Sequence, residues 1–177
     1  MTLTDHFREV LRGGYITGPL DTQWKIVNRD GLRVLYFQAS SSRLDWVQNF
    51  FFPPVDGRPA GFQVAWQKNL IDLVMAVKEN GGIDLCVGCS RGGPFAVYSA
   101  QHFGVPFITF GSPRPGRHCS TGKRVAGPRD IVTWLPPFYR QAGERVKIGK
   151  ATRGKIPLWE WLSGHGPAEY QQRLEGL

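Results

Sequence analysis

Cysteine is scarce in this sequence of 177 residues: there are three, Cys86, Cys89 and Cys119. So small and odd a number excludes a disulfide framework as the source of stability and suits reducing surroundings. Long apolar runs are missing as well. Leu70 to Val77 is interrupted by Asp72 and falls far short of the ~20 apolar residues of a membrane-spanning helix, so a transmembrane protein of that kind is excluded. Met1 to Arg12 mixes Asp5, Arg8, Glu9 and Arg12 with isolated apolar residues, and no signal-peptide core is expected. That leaves action in the cytoplasm, export by a non-standard route, or release on lysis, as for a virus-encoded enzyme. Repeats and low-complexity tracts are absent, and Gly and Pro are spread along the chain, so residues 1–177 read as one domain with one site. Acid is also short: 14 Asp and Glu against 22 Lys and Arg give a net charge of +8. The excess favours an anionic surface, whether phospholipid, nucleic acid or an acidic envelope polymer, without choosing among them.

The patterning predicts an α/β architecture. Trp24 to Asn28 and Leu32 to Phe37, separated by Arg29-Asp30-Gly31, read as a leading antiparallel hairpin. Phe62, Trp66, Leu70, Leu73 and Val77 recur at helical spacing and stop at Gly81-Gly82. A buried strand is expected over Ile83 to Val87, a helix over Gly92 to His102 and a second strand over Val105 to Phe110. Strand, helix, strand in that order implies a mostly parallel central sheet with flanking helices and with reactive groups at the carboxyl ends of its strands. Further on, Arg145 to Ile148 suits a strand and Pro167 to Leu174 a terminal helix.

Where the expected strand meets the expected helix stands Gly88-Cys89-Ser90-Arg91-Gly92, a G-x-S-x-G pattern. Such a turn strains the backbone of its central residue and needs small residues two places to either side. Ser90 has Gly88 and Gly92 there, whereas Cys89 would have Val87 and Arg91, so Ser90 is the expected nucleophile. Cys86 and Cys89 form C-x-x-C, but a strand leading into an elbow is the wrong place for a redox pair, and Cys86 reads as a small buried hydrophobe. A serine hydroxyl needs a base, and the base an orienting carboxylate. The only aspartate after Ser90 is Asp130. Of the later histidines, His102 belongs to the helix leaving the elbow, His118 precedes Asp130 in a basic loop, and His165 sits in the glycine-flanked Ser163-Gly164-His165-Gly166. His165 is the expected base.

These residues resemble the class-three, fungal-type triacylglycerol lipases of the α/β-hydrolase superfamily. Phe110-Gly111-Ser112-Pro113-Arg114 resembles that family's F-G-x-P-R strand end, and Arg129-Asp130-Ile131-Val132 with Leu135-Pro136-Pro137 resembles its acid segment. Gln141-Ala142-Gly143-Glu144 is similar to its H-x-G-E stretch, and His165 followed by Tyr170 to its histidine loop. Upstream, Phe37-Gln38-Ala39-Ser40-Ser41-Ser42 with Asp45-Trp46 resembles its F-R-G-[ST] oxyanion loop. The resemblance runs from about Trp24 to Tyr170 and implies a compact α/β-hydrolase fold and a lipid-metabolism esterase with a Ser90-Asp130-His165 triad. It also implies an oxyanion hole built from the N–H groups of Ser40 and Arg91. An acyl-enzyme mechanism of this kind requires no metal and no cofactor.

The sequence departs from the family at Cys89 and Arg91, where histidine and an aliphatic residue are usual, and at Ala39, where the oxyanion loop usually has glycine. The stretch in which relatives carry a lid is short here. Phe50, Phe51 and Phe52, together with Trp134 and Phe138, are candidates for lipid contact or for ordinary core. Between Arg114 and Arg129 a basic stretch includes Arg117, Lys123 and Arg124 and reads as a solvated loop, with contact to an anionic headgroup as the alternative. Gly116 to Lys123 misses P-loop spacing and Arg124 stands where that motif needs Ser or Thr, which excludes a nucleotide and leaves nucleic acid disfavoured. The expected partner is an acyl-ester substrate such as an acylglycerol, lysophospholipid, envelope ester or polyester. The rival is a catalytically inactive module of the same fold that binds anionic membrane or envelope through its charge, drawing on Arg91 and the altered oxyanion loop.

Overall fold

Local sequence dictates the leading hairpin. Strand β2 (Thr22–Arg29) turns back on β3 (Leu32–Phe37) through Asp30 and Gly31, which have φ of 51° and 76°. Two residues at positive φ give the loop whose twist matches paired strands, and Asp-Gly is among the pairs best able to adopt it. The computed structural model describes residues 1–39, 53–116, 121–149 and 164–176. The expected sites at Ser40, Phe50, Phe51, Phe52, Arg117, His118 and Cys119 lie outside them.

A short first strand, β1 (Ile16–Gly18), precedes the hairpin, and Pro54–Val55 and Arg58–Pro59 form a small separate ribbon, β4 and β5. The main sheet continues with β6 (Leu85–Cys89), β7 (Phe107–Phe110), β8 (Gly122–Ala126) and β9 (Glu144–Lys147). Its seven strands run in the order β1-β2-β3-β6-β7-β8-β9, antiparallel through β3 and parallel from β3 onward. This is the mostly parallel α/β sheet with leading antiparallel strands that the patterning implied. The first two parallel strands begin two residues later than expected, because Ile83 and Val105 complete the approach to the sheet without pairing in it.

Helices cover both faces. Leu35, Phe37 and Cys86 point to one side, where α2 (Ala60–Glu79) and α3 (Gly92–Phe103) supply Phe62, Trp66, Leu73, Phe95 and Tyr98. Val34, Tyr36, Val87 and Cys89 point to the other, against α1 (Leu3–Leu11) and α4 (Pro167–Glu175). The alternation along β3 and β6 is the period of two that a sheet buried on both faces demands.

Helix α1 and strand β8 are among the elements not read from the sequence. Helix α1 is opened by a reciprocal cap, in which Asp5 N–H donates to the Thr2 hydroxyl (3.2 Å) and Thr2 N–H to the Asp5 carboxylate (2.8 Å). Strand β8 lies inside the stretch read as a solvated basic loop: Val125 and Ala126 are buried between β7 and β9.

The far end of α1 is held by Lys25 of β2. Its ammonium donates to the Glu9 carboxylate (2.8 Å) and to the carbonyls of Glu9 (3.1 Å), Arg12 (3.2 Å) and Gly13 (3.2 Å), 4.7 Å from the centre of the Tyr15 ring. Carbonyls at a helix end have no partner within the helix, and here a buried cation supplies one. Lys25→Met therefore leaves the buried Glu9 carboxylate with only the exposed guanidinium of Arg12 (3.3 Å) as a cation, strips the helix-end carbonyls of their donor, and is expected to cost about 3 kcal/mol. A urea titration would show this as a lowered midpoint with an unchanged slope; an unchanged midpoint would mean that Lys25 contributes nothing net.

Candidate active site

Ser90 stands at the carboxyl end of β6, immediately before α3, with φ at 49°. The left-handed backbone that costs an L-residue energy is held by Ser90 N–H donating to the Phe110 carbonyl (2.8 Å) and Gly93 N–H donating to the Ser90 carbonyl (2.9 Å). Close approach demands the flanking glycines. A methyl group on Gly88 would sit 2.2 Å from the Gly92 carbonyl oxygen, and one on Gly92 would sit 2.3 Å from that of Phe37. Ser90 is thereby presented at the positive end of the α3 dipole.

The neighbouring thiols have no such setting. Cys89 is buried among the α1 and α4 side chains, and burial pushes its thiol up to about 12; Cys86 is raised further for the same reason. Three residues apart on one strand, the two point to opposite faces of the sheet, which rules out a redox pair between them.

His165 precedes α4, and its Nε2 lies 2.8 Å from Ser90 Oγ. Its Nδ1 lies 2.9 Å from Asp130 Oδ2. Asp130 is fully buried, and as N-cap of the 3-10 turn Ile131–Trp134 its Oδ1 accepts from Val132 N–H (2.9 Å). Oδ2 also accepts from the Tyr170 hydroxyl (2.6 Å), which itself accepts from Gly127 N–H (3.1 Å). Burial first, and the Asp130 charge next, hold the Tyr170 phenol well above its ordinary value, so it stays a neutral donor. The arrangement can take a proton from Ser90, carry it on the imidazole and balance the resulting charge with a carboxylate fixed by three donors.

Beside Ser90 and His165 lies a cavity of about 200 Å³ walled by Phe7, Leu11, Ala39, Phe110 and Pro167. A larger recess of about 520 Å³ opens at the amino ends of the parallel strands, between Leu85, Pro106, Lys123 and Glu144, remote from the serine. Ala39 brings the described chain to the cavity wall one residue short of Ser40. Trp134 and Phe138 do not line the cavity; they are 49% and 95% exposed on the surface. His102 is exposed and packs edge-on to Trp66. Phe7, Leu11 and the bond from Tyr170 to Asp130 were missed at the level of sequence. For the helix, the Thr2-x-x-Asp5 cap and the helical spacing of Leu3, Phe7, Val10 and Leu11 were the available signals.

Arg91, the unusual residue after the serine, turns its side chain away from the cavity. Its guanidinium donates to the carbonyls of Leu20 (2.6 Å) and Asp21 (3.2 Å), with the Asp21 carboxylate 3.8 Å away. The elbow is thus tied to a turn whose residues Leu20 and Asp21 themselves have positive φ, 55° and 52°. The backbone N–H of Arg91 stays at the start of α3, where a second donor to an oxyanion would be needed. Among the described residues, no group of three or more His, Cys, Asp and Glu side chains is placed to hold a metal ion, and no helix is long and apolar enough to cross a membrane.

No protein-family model matches the sequence, and no curated protein matches it. Solved structures do. A fungal lipase in complex with an inhibitor is 23% identical, with a TM-score of 0.61 over 77% of this chain and 65% of that one. Lipase II from Rhizopus niveus is 20% identical, with a TM-score of 0.61 over 76% and 64% of the two chains. The N225Q mutant of MDLA from Penicillium cyclopium is 20% identical, with a TM-score of 0.61 over 82% and 66%. The chain spans just under two thirds of the length of these structures, and the likeness shows that it has their α/β-hydrolase fold.

Proposed function

We propose that this chain is a serine ester hydrolase that cleaves acyl esters, lipids among them. Ser90 Oγ attacks the acyl carbonyl as His165 Nε2 takes its proton. The tetrahedral oxyanion is met by the N–H of Arg91 and, by the motif it shares with lipases, of Ser40. Collapse expels the alcohol, which leaves with the proton from His165, and the acyl group remains on Ser90. Water, activated by the same imidazole, then releases the acid and restores the serine. The observation that carries this reading is the unbroken relay of 2.8 Å and 2.9 Å from Ser90 through His165 to buried Asp130. The fold shared with fungal lipases supports it.

The apolar cavity suits the acyl group, and at about 200 Å³ it is smaller than the ~300–1,000 Å³ pockets that hold drug-sized ligands. Short acyl chains are therefore the preferred substrates, while exposed Trp134 and Phe138 are the surface groups offered to lipid. Hydrolysis of p-nitrophenyl esters from acetate to palmitate tests both statements. Turnover should be highest for the shorter chains; no turnover of any ester by folded protein would defeat the proposal and favour an inactive module that binds anionic surfaces.

A further inference from the structure

Strands β8 and β9 place Arg124 and Arg145 directly side by side in register. Their neighbours Val125 and Val146 pack into the core under α1 and α4, so the two arginines point to the opposite face of the sheet. Lys123 and Glu144, also paired in register, point with the valines and line the recess beside His6. The nearest carboxylate in sequence is therefore on the wrong side of the sheet.

A third guanidinium completes the group. Arg114, in the loop after β7, donates to the carbonyls of Pro137 (2.5 Å) and Tyr139 (3.2 Å) and lies 6.0 Å from the centre of the Trp134 ring. Burial, then the charges of Arg145 and Arg114, make Arg124 a weaker base than an ordinary arginine, which sets Arg124 within the field of the other two. Among the described residues, neither Arg124 nor Arg145 has a hydrogen-bond or ion-pair partner. The Nε atoms of all three arginines are buried without a partner.

Cations gathered partly out of water repel one another and lose hydration, and proteins ordinarily offset this with a carboxylate. Among the described residues no carboxylate does so here. We propose that Arg114, Arg124 and Arg145 form a binding site for a phosphate group. Guanidinium forks match tetrahedral phosphate oxygens in geometry, and a dianion relieves the repulsion among three cations. The site lies across the sheet from the cavity beside Ser90 and does not depend on the ester-hydrolase reading. It gives a use to the basic stretch that the triad leaves unexplained. The phosphate can come from a soluble phosphate ester or from a lipid headgroup.

The test compares the wild type, Arg124→Gln/Arg145→Gln, and Lys68→Gln/Lys78→Gln, which removes the same charge from exposed positions of α2. Each is melted in chloride and in inorganic phosphate at equal ionic strength, then floated with phosphatidylcholine vesicles with and without phosphatidic acid. In chloride the arginine variant should melt at or above the wild type, because removing repelling charges does not weaken the fold. Phosphate at about tenfold its Kd should raise the wild-type and lysine-variant melting temperatures by about 3–5 °C and leave the arginine variant unmoved. Flotation with phosphatidic acid lost only in the arginine variant would assign a headgroup; a phosphate shift without flotation would assign a soluble ester. Equal shifts in all three proteins, no shift in the wild type, or flotation lost equally in both variants would overturn the site. Arg145→Gln alone, on the last strand of the described sheet, repeats the comparison if the double variant does not fold.

Discussion

Ser90→Ala is expected to lower kcat for p-nitrophenyl butyrate by about 10⁴- to 10⁶-fold while leaving the fold intact. The size follows from how the three side chains act. In the proposed mechanism serine, imidazole and carboxylate work as one unit, so loss of the attacking atom forfeits nearly all that the unit supplies and leaves only binding and oxyanion stabilisation. Stability should hardly move. Ala at φ near 49° meets the same left-handed backbone as Ser, and the bonds that fix the turn are made by the Ser90 backbone, not by its hydroxyl. A fluorophosphonate should label the wild type once, at Ser90, and the variant not at all. Turnover retained within tenfold would remove Ser90 from the chemistry and leave the relay a structural hydrogen-bond chain.

The elbow was legible because its demands are local. Gly88 and Gly92 are required by contacts to a carbonyl four residues away or to the adjoining strand, and the hairpin by two residues at positive φ. Asp130 was legible by scarcity, as the only aspartate after Ser90, and His165 by its glycine-flanked loop. What escaped depends on partners distant in sequence. Helix α1 has Leu3, Phe7, Val10 and Leu11 at helical spacing but is only nine residues long, and what holds it is Lys25 at one end and the stack of Phe7 on Tyr170, 5.8 Å between ring centres, on its inner face. Strand β8 has too short an alternation to be read as a strand, and its pairing partners β7 and β9 define it. The unusual Arg91 made an inactive module worth weighing; its anchors, Leu20 and Asp21, stand some seventy positions earlier and no local pattern points to them.

The second large effect is expected at Asp130. Asp130→Asn should reduce kcat by about 10⁴-fold, and the reason lies in how fully its oxygens are used. Oδ1 accepts from Val132 N–H, while Oδ2 accepts from the Tyr170 hydroxyl and lies against His165 Nδ1. An asparagine can be placed in two ways. With its NH₂ in the Oδ2 position it donates to Nδ1, so the imidazole proton moves to Nε2 and the nitrogen facing Ser90 no longer accepts. Tyr170 then loses the acceptor for its hydroxyl proton as well. With its NH₂ in the Oδ1 position the tautomer survives, but two buried donors, the amide and Val132 N–H, face each other at the cap of the 3-10 turn. In both placements the negative charge that balances a protonated His165 is gone, so the rate falls either way. Each placement also leaves one buried donor without an acceptor, the Tyr170 hydroxyl in the first and Val132 N–H in the second, so the variant should lose about 1–3 kcal/mol of stability besides. Tyr170→Phe provides the contrast, since it removes one donor from Oδ2 but keeps the charge and the tautomer, and its rate should fall far less. An Asp130→Asn protein with near wild-type kcat would mean that the buried carboxylate serves the fold alone.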